Sequence, residues 1–208
     1  RGLGTDWHAL GTAIKPYPCC RFEHGAIDLA IEAHRAGLVP AKIRDVRIRL
    51  YRTDVLSYHR EPKNPVDAQF NVPWGVAVAL SRGRVTLADF TAEAIRDASV
   101  LAMAQRIEVV EDPEYTARYP QDYWIEMLVT GTDGATTRFF SECPSGDPEA
   151  PQYRKDPSLL HAEVEAKCAS LLDECGFGAR AKGLSAACNG LSEAPDVHAL
   201  AAILGPKH

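Results

Sequence analysis

The stretch KPYPCCRFEH, residues 15–24, sets an amine and an imidazole nine positions apart, around two prolines, two cysteines, two aromatic rings, an arginine and a glutamate. Lys15 is followed by Pro16 and lies among Ile14, Tyr17 and Pro18. An amine held against such apolar surface is easier to deprotonate, and can serve as a base or pair with a substrate carboxylate; the same residue in water is an ordinary loop lysine. His24 stands where a helix begins. The exposed N–H groups of a helix start attract anions, and an imidazole moves protons either way near neutrality. A helix-terminal histidine bonded to a backbone group fits that position equally well. Arg21 adds a second cation whose fork suits a carboxylate. If Lys15, Arg21, His24 and the helix N-terminus converge, they make an anion pocket.

Other reactive types carry less. Cys19 and Cys20 are nucleophiles only with a lowered pKa, and no cysteine-hydrolase signature surrounds them, so they read as packing. The six cysteines include no CxxC pair and the seven histidines no HxxxH pair, which leads to reduced, structural thiols and a protein with no metal and no cofactor. The SGDP at Ser145–Pro148 lacks a following GK[ST] and reads as a turn.

The elements that must position these groups are legible from period and punctuation. Phe22 to Gly37 carries Ile27, Ala30, Ile31 and His34 at helical spacing, with Gly37 at a capping position. Val46, Ile48 and Leu50 alternate with Arg47, Arg49 and Tyr51, a strand with one buried face and one basic face. Pro65 suits a helix start and Gly83 its end; Pro73 breaks or kinks the segment between, which is apolar enough to be buried on nearly all sides. Short helices follow through Met103, with Thr91 as an N-cap. Ile107–Val109, Trp124–Val129 and Thr136–Phe140 read as strands, and Asp133-Gly134 joins the last two as a hairpin. After the proline-rich linker at 143–158, helices are expected over 158–174, about 179–190, and 195–204. Three short helices enclose no core of their own and need another surface.

Length and composition set outer bounds. The 208 residues are 46% hydrophobic and 25% charged, with a formal net charge of −5 and no long run of like charge. Nucleic acid is thereby an unsuitable partner, and no apolar run approaches the ~20 residues of a membrane helix. With no signal segment in view, the chain reads as cytoplasmic.

The blocks KPYPCCRFEHGAIDLAIE, PKNPVDAQFNVPWGVAVALSRGRV, DASVLAMAQRIEVVEDPE and CPSGDPEAP occur in that order, and through them the sequence resembles the C-terminal part of the MmgE/PrpD family from about Trp7 to Leu204. The resemblance implies an α+β fold: an entry segment at 1–14, a lid domain at 15–150 related in shape to chorismate mutase-like folds, and helices at 151–208 that rejoin a helical domain built from the N-terminal half. That half is missing here. The family includes 2-methylcitrate dehydratase, cis-aconitate decarboxylase and iminodisuccinate epimerase, which act without metal on small di- or tricarboxylates through a carbanion beside a carboxylate. By this resemblance Lys15 and His24 are the catalytic residues, and Arg21 and Trp74 contact substrate. Trp74 stands where the family more often has tyrosine, and an indole offers only a weakly acidic N–H. The implied partners are the carboxylate substrate and a chain carrying the helical half, in a homodimer or hetero-oligomer. A non-catalytic binding or scaffold subunit is the alternative, and an independent chorismate mutase-like enzyme a third.

Overall fold

The alternation around Val46 becomes strand β1 (Ile43–Leu50), which sits inside a four-stranded sheet with β2 (Ile107–Glu111), β3 (Ile125–Gly131) and β4 (Thr136–Ser141). The computed structural model describes residues 2, 4–6, 8–53, 56 and 58–205. The strand order is β2-β1-β3-β4, with β2 parallel to β1 and the other pairs antiparallel. Ile48 pairs with Val109 on one side and Met127 on the other. The side chains of Val46, Ile48, Leu50, Ile125, Met127 and Val129 are buried on one face, where helices α1 (His24–Arg35) and α3 (Val72–Arg82) pack.

The opposite face is not simply basic. Arg47 lies 3.5 Å from Glu108, Arg49 bonds Glu126 at 2.8 Å and pairs with Asp112, and Arg138 pairs with Glu126. Arginine on this face is matched across strands by carboxylates, the opposite-charge pairing that favours this register.

Pro73 breaks the segment between Pro65 and Gly83 outright. It ends α2 (Pro65–Ala68) and enters α3 in the first turn, where its missing N–H costs nothing. Asn64 and Asn71 cap the two helices through their side chains. From Val72 to Leu80 every residue of α3 is buried. The remaining helices of this part are α4 (Ala98–Ala104) and α5 (Pro113–Arg118). The sequence reading missed α5, although Asp112 caps its N–H groups and Pro113 fills its first position. Thr91 Oγ1 accepts from Ala94 N at 3.1 Å, but Thr91 ends the 3₁₀ turn at Leu87–Phe90 and the next turn, Ala94–Arg96, is preceded by Glu93, so it is not the N-cap expected.

Two compact units divide the chain, 1–151 and 152–208. Helix α6 (Pro151–Lys155) begins at the division. In the second unit α8 (Ala181–Asn189) packs on both α7 (Ser158–Glu174) and α9 (His198–Leu204). None of these three helices has a buried residue, and Leu159, Val164 and Leu204 are exposed. Arg180 closes the unit by donating to the carbonyls of Ile203 and Gly205 at 2.8 and 2.7 Å. Among the described residues no helix is long and apolar enough to cross a membrane, and no group of three or more His, Cys, Asp or Glu side chains is placed to hold a metal ion.

Gly83 ends α3 at φ +66°, and a Cβ there would lie 2.6 Å from Cδ2 of His34, whose Nδ1 is fixed 2.7 Å from the Leu80 carbonyl. Backbone strain and the ring contact act together in Gly83→Ala. Urea unfolding is expected to show a loss of about 1–3 kcal/mol with unchanged helix content; a change within 0.5 kcal/mol, the ordinary surface range, would show that this cap does not fix α3 against α1.

Candidate active site at the start of the first helix

Three contacts from one loop hold the segment that leads into α1. Ile14 N donates to Gly146 O at 2.7 Å, Ser145 N donates to Asp28 Oδ2 at 2.7 Å, and Arg21 Nη2 donates to Asp147 Oδ2 at 3.0 Å. The SGDP sequence is therefore more than a turn. Gly146 sits at φ +80°, and a Cβ on it would fall directly on the Ile14 carbonyl oxygen, so the close approach needs glycine. From the other side Gln69 receives the Cys20 N–H at 2.7 Å on its carbonyl and donates its side-chain amide to Pro18 O at 3.1 Å. The prolines leave few backbone donors in this segment, and most of the fixing falls to these neighbours.

Each residue singled out in the sequence has a definite place. Lys15 is exposed. It still acts electrostatically on Cys19, Cys20 and Glu23, in each case favouring the ionised partner. His24 opens α1 and is fully buried; Nε2 lies 3.4 Å from the Cys19 carbonyl oxygen, a donor–acceptor pair when Nε2 carries the hydrogen. Its ring meets Tyr17 edge-on with centroids 5.1 Å apart. Arg21 gives one arm of its fork to Asp147, while Nη1 is buried with no hydrogen-bond partner among the described residues.

Trp74 has a different setting. It is 0% exposed on α3, and its Nε1–H donates to the Asp89 carbonyl at 3.2 Å. Burying a large apolar side chain is worth about 1.5–3 kcal/mol, and the ring's single donor is already used. The side chain belongs to the core that backs α1.

Sequence reasoning passed over two acids. Glu23 is fully buried, with Oε1 accepting from Cys20 N at 3.1 Å and Oε2 lacking a hydrogen-bond partner among the described residues. Gly75 on α3 leaves it room, since a Cβ there would stand 3.2 Å from Oε2. Burial pushes the Glu23 carboxyl well above the usual carboxylate range, and bonds to the Cys19 thiol and Cys20 N–H, with Lys15 nearby, only partly oppose this. Asp28 is also raised by burial, against the bonds it accepts from Ser145 and from the Tyr17 hydroxyl at 2.7 Å. A glutamate before a helix and an aspartate one turn in read as solvated charges, because their burial depends on residues far along the chain.

Burial, reinforced by Glu23, also pushes the Cys19 thiol up, so it is held as a thiol and not as a nucleophilic thiolate. All six cysteines are free, and Cys19 and Cys20 are buried. Packing does not describe Cys175 and Cys188, which are exposed because their helices enclose no core.

An α+β domain that gathers titratable groups at one helix start is the class this fold and site define. Residues 17–182 match the MmgE/PrpD C-terminal domain, and the chain belongs to the MmgE/PrpD family. It is similar to 2-methylcitrate dehydratase of Salmonella typhimurium, 32% identical over 116 residues covering 53% of this chain and 24% of that protein. It is also similar to 2-methylcitrate dehydratase of Escherichia coli K12, 32% identical over 120 residues, or 55% of this chain and 24% of that protein. The matched region thus spans about a quarter of each relative.

Two substitutions check the site. Gly146→Ala should raise amide hydrogen exchange at 14–21 by at least about tenfold, the equivalent of 1.4 kcal/mol; unchanged protection would mean that the loop does not hold the segment. For Glu23, a folded-state pKa above the unfolded value means that the folded protein binds more protons, so its stability falls as pH rises from about 4.3. Unfolding midpoints of Glu23→Gln should therefore gain on wild type as pH rises from 4 to 7, and a constant difference would contradict the burial of an acid there.

Proposed function

We propose that this chain is the C-terminal half or subunit of a lyase or isomerase that makes or quenches a carbanion beside a carboxylate of a small di- or tricarboxylate such as 2-methylcitrate. The observation that carries the reading is the fixed segment 14–24, which presents the exposed Lys15 next to buried acid–base groups. Such a reaction needs a base at the carbon, an acid for the departing group and a cation near the developing charge. In this proposal the exposed Lys15 supplies the cation beside the developing carboxylate charge. His24, buried beneath Tyr17, moves protons only through its neighbours. Arg21, tied to Asp147, aligns the segment, and Trp74 supports the wall from the core without touching substrate. The relatives' printed activity supports dehydration over decarboxylation or epimerisation.

The rest of the assembly belongs to the same proposal. Residues 15–150 are the lid, with a chorismate mutase-like shape, and 1–14 with the helices of 151–208 join a helical domain contributed by the N-terminal half. That half meets the exposed apolar side chains of α7 to α9, in a cytoplasmic homodimer or hetero-oligomer. A second reading, a binding subunit without turnover, draws on the burial of His24 and the internal bonds of Trp74 and Arg21.

Turnover of 2-methylcitrate and related acids, assayed with the helical half supplied, separates the two. Lys15→Ala is expected to lower the rate at least about 100-fold with the unfolding midpoint unchanged, as an exposed side chain allows. Binding of these acids without any turnover would leave the binding subunit, and neither binding nor turnover would exclude both.

A further inference from the structure

Where β1 ends, the alternation of its buried face stops: Leu50 and Tyr51 are both buried, and Tyr51 is 0% exposed. A phenylalanine would fill that space without bringing in a polar atom. The Tyr51 hydroxyl is buried with no hydrogen-bond partner among the described residues, and so is Nη1 of Arg21, whose other arm is held by Asp147. Burying a phenol and a guanidinium N–H unbonded costs stability, and each such group calls for a partner.

The two groups belong to one cluster. The ring of Tyr51 stacks on that of Tyr119 with centroids 4.9 Å apart and meets Tyr123 edge-on at 5.9 Å, while Tyr119 and Tyr123 meet at 5.7 Å. Phe22, next to Arg21, packs edge-on against Tyr51 and Tyr119 at 6.2 and 5.9 Å. Arg21 acts electrostatically on the hydroxyls of Tyr51 and Tyr123, and those of Tyr119 and Tyr123 act on that of Tyr51, so the polar ends share one neighbourhood. Tyr119 and Tyr123 are half-buried, which makes Tyr51 the closed end of the cluster and these two its open side.

We propose that Arg21, Tyr51, Tyr119 and Tyr123 form a binding site for a small oxyanion, which accepts hydrogen bonds from Arg21 Nη1 and the Tyr51 hydroxyl. An oxyanion offers only acceptors, and the groups that face it can all donate. A water molecule would bring two hydrogens of its own, and a guanidinium has no acceptor for them. Because Asp147 already offsets the charge of Arg21, the ligand is held by directed hydrogen bonds more than by net charge. A carboxylate or phosphate has separate oxygens for the two donors, which chloride lacks. The site goes beyond the lyase reading and stands without it. Through Arg21 its ligand joins the segment that carries Lys15 to the end of β1 and to the stretch before β3.

Thermal unfolding of the full chain in sodium acetate or inorganic phosphate, set against sodium chloride at equal ionic strength, tests the site without any turnover. The midpoint is expected to rise with concentration of at least one oxyanion, as binding to the folded state requires; the acetate arm reads carboxylate ligands and the phosphate arm phosphates. The carbon-13 signal of Tyr51 Cζ should shift saturably over the same range. Tyr51→Phe, which removes only the oxygen, should weaken binding at least about tenfold. In buffer free of oxyanions the same variant should unfold at or above the wild-type temperature, because an unbonded buried oxygen is gone. No rise beyond the chloride control overturns the proposal, as does binding by Tyr51→Phe within about threefold of wild type. A variant midpoint below wild type in oxyanion-free buffer would mean that water or protein already bonds the hydroxyl, and overturns it too.

Discussion

The loop at 145–147 crosses the segment that carries Lys15, and the geometry of the site depends on that crossing. Its three contacts reach Ile14, Arg21 and Asp28, one before the proline-rich stretch, one after it and one on α1. Without them the prolines would leave the segment with little backbone bonding to define its path. Gly146 allows the approach because no side chain stands between the two backbones. The hairpin of β3 and β4 delivers this loop, so the sheet positions the site at one remove, and the buried face of α3 supports α1 from behind.

Around this fixed path the helix start gathers acids and bases in a short stretch. Glu23 and Asp28 are both driven toward their neutral forms by burial, while the exposed Lys15 supplies positive charge at the edge. Carboxyls shifted toward the neutral form beside an outward-facing cation are the arrangement on which the proposed function rests. The chain belongs to the MmgE/PrpD family and is similar over about a quarter of their length to 2-methylcitrate dehydratases. Arg21 serves the same site indirectly, since its bond to Asp147 orients the loop.

Much of the fold could be read from local patterns. The alternation at Val46–Leu50, the break before Pro73, the cap at Gly83 and the Asp133-Gly134 turn each follow from the period or punctuation of a few residues. The Asp112-Pro113 signal for α5 was equally local and was overlooked. The site was less legible. Lys15, Arg21 and His24 were chosen for type and spacing, yet one is exposed, one is paired with Asp147 and one is buried. The pairing of Arg21 comes from residues 145–147, over a hundred positions away, and short patterns carry no record of it. The same distance hid the bond from Ser145 to Asp28 and made SGDP look like a simple turn, while the setting of Glu23 depends on Gly75 of α3, some fifty positions on.

The proposed function holds that the segment fixed by this loop takes part in proton transfer at a carbon beside a carboxylate. Solvent deuterium incorporation tests it most directly: 2-methylcitrate and related di- and tricarboxylates are incubated in D₂O with the protein, with and without the helical half proposed to complete it, and followed by proton NMR. The account predicts loss of the C–H signal beside a carboxylate in at least one of these acids, at a rate well above the buffer control. Acids that bind yet keep that signal at the control rate would contradict it.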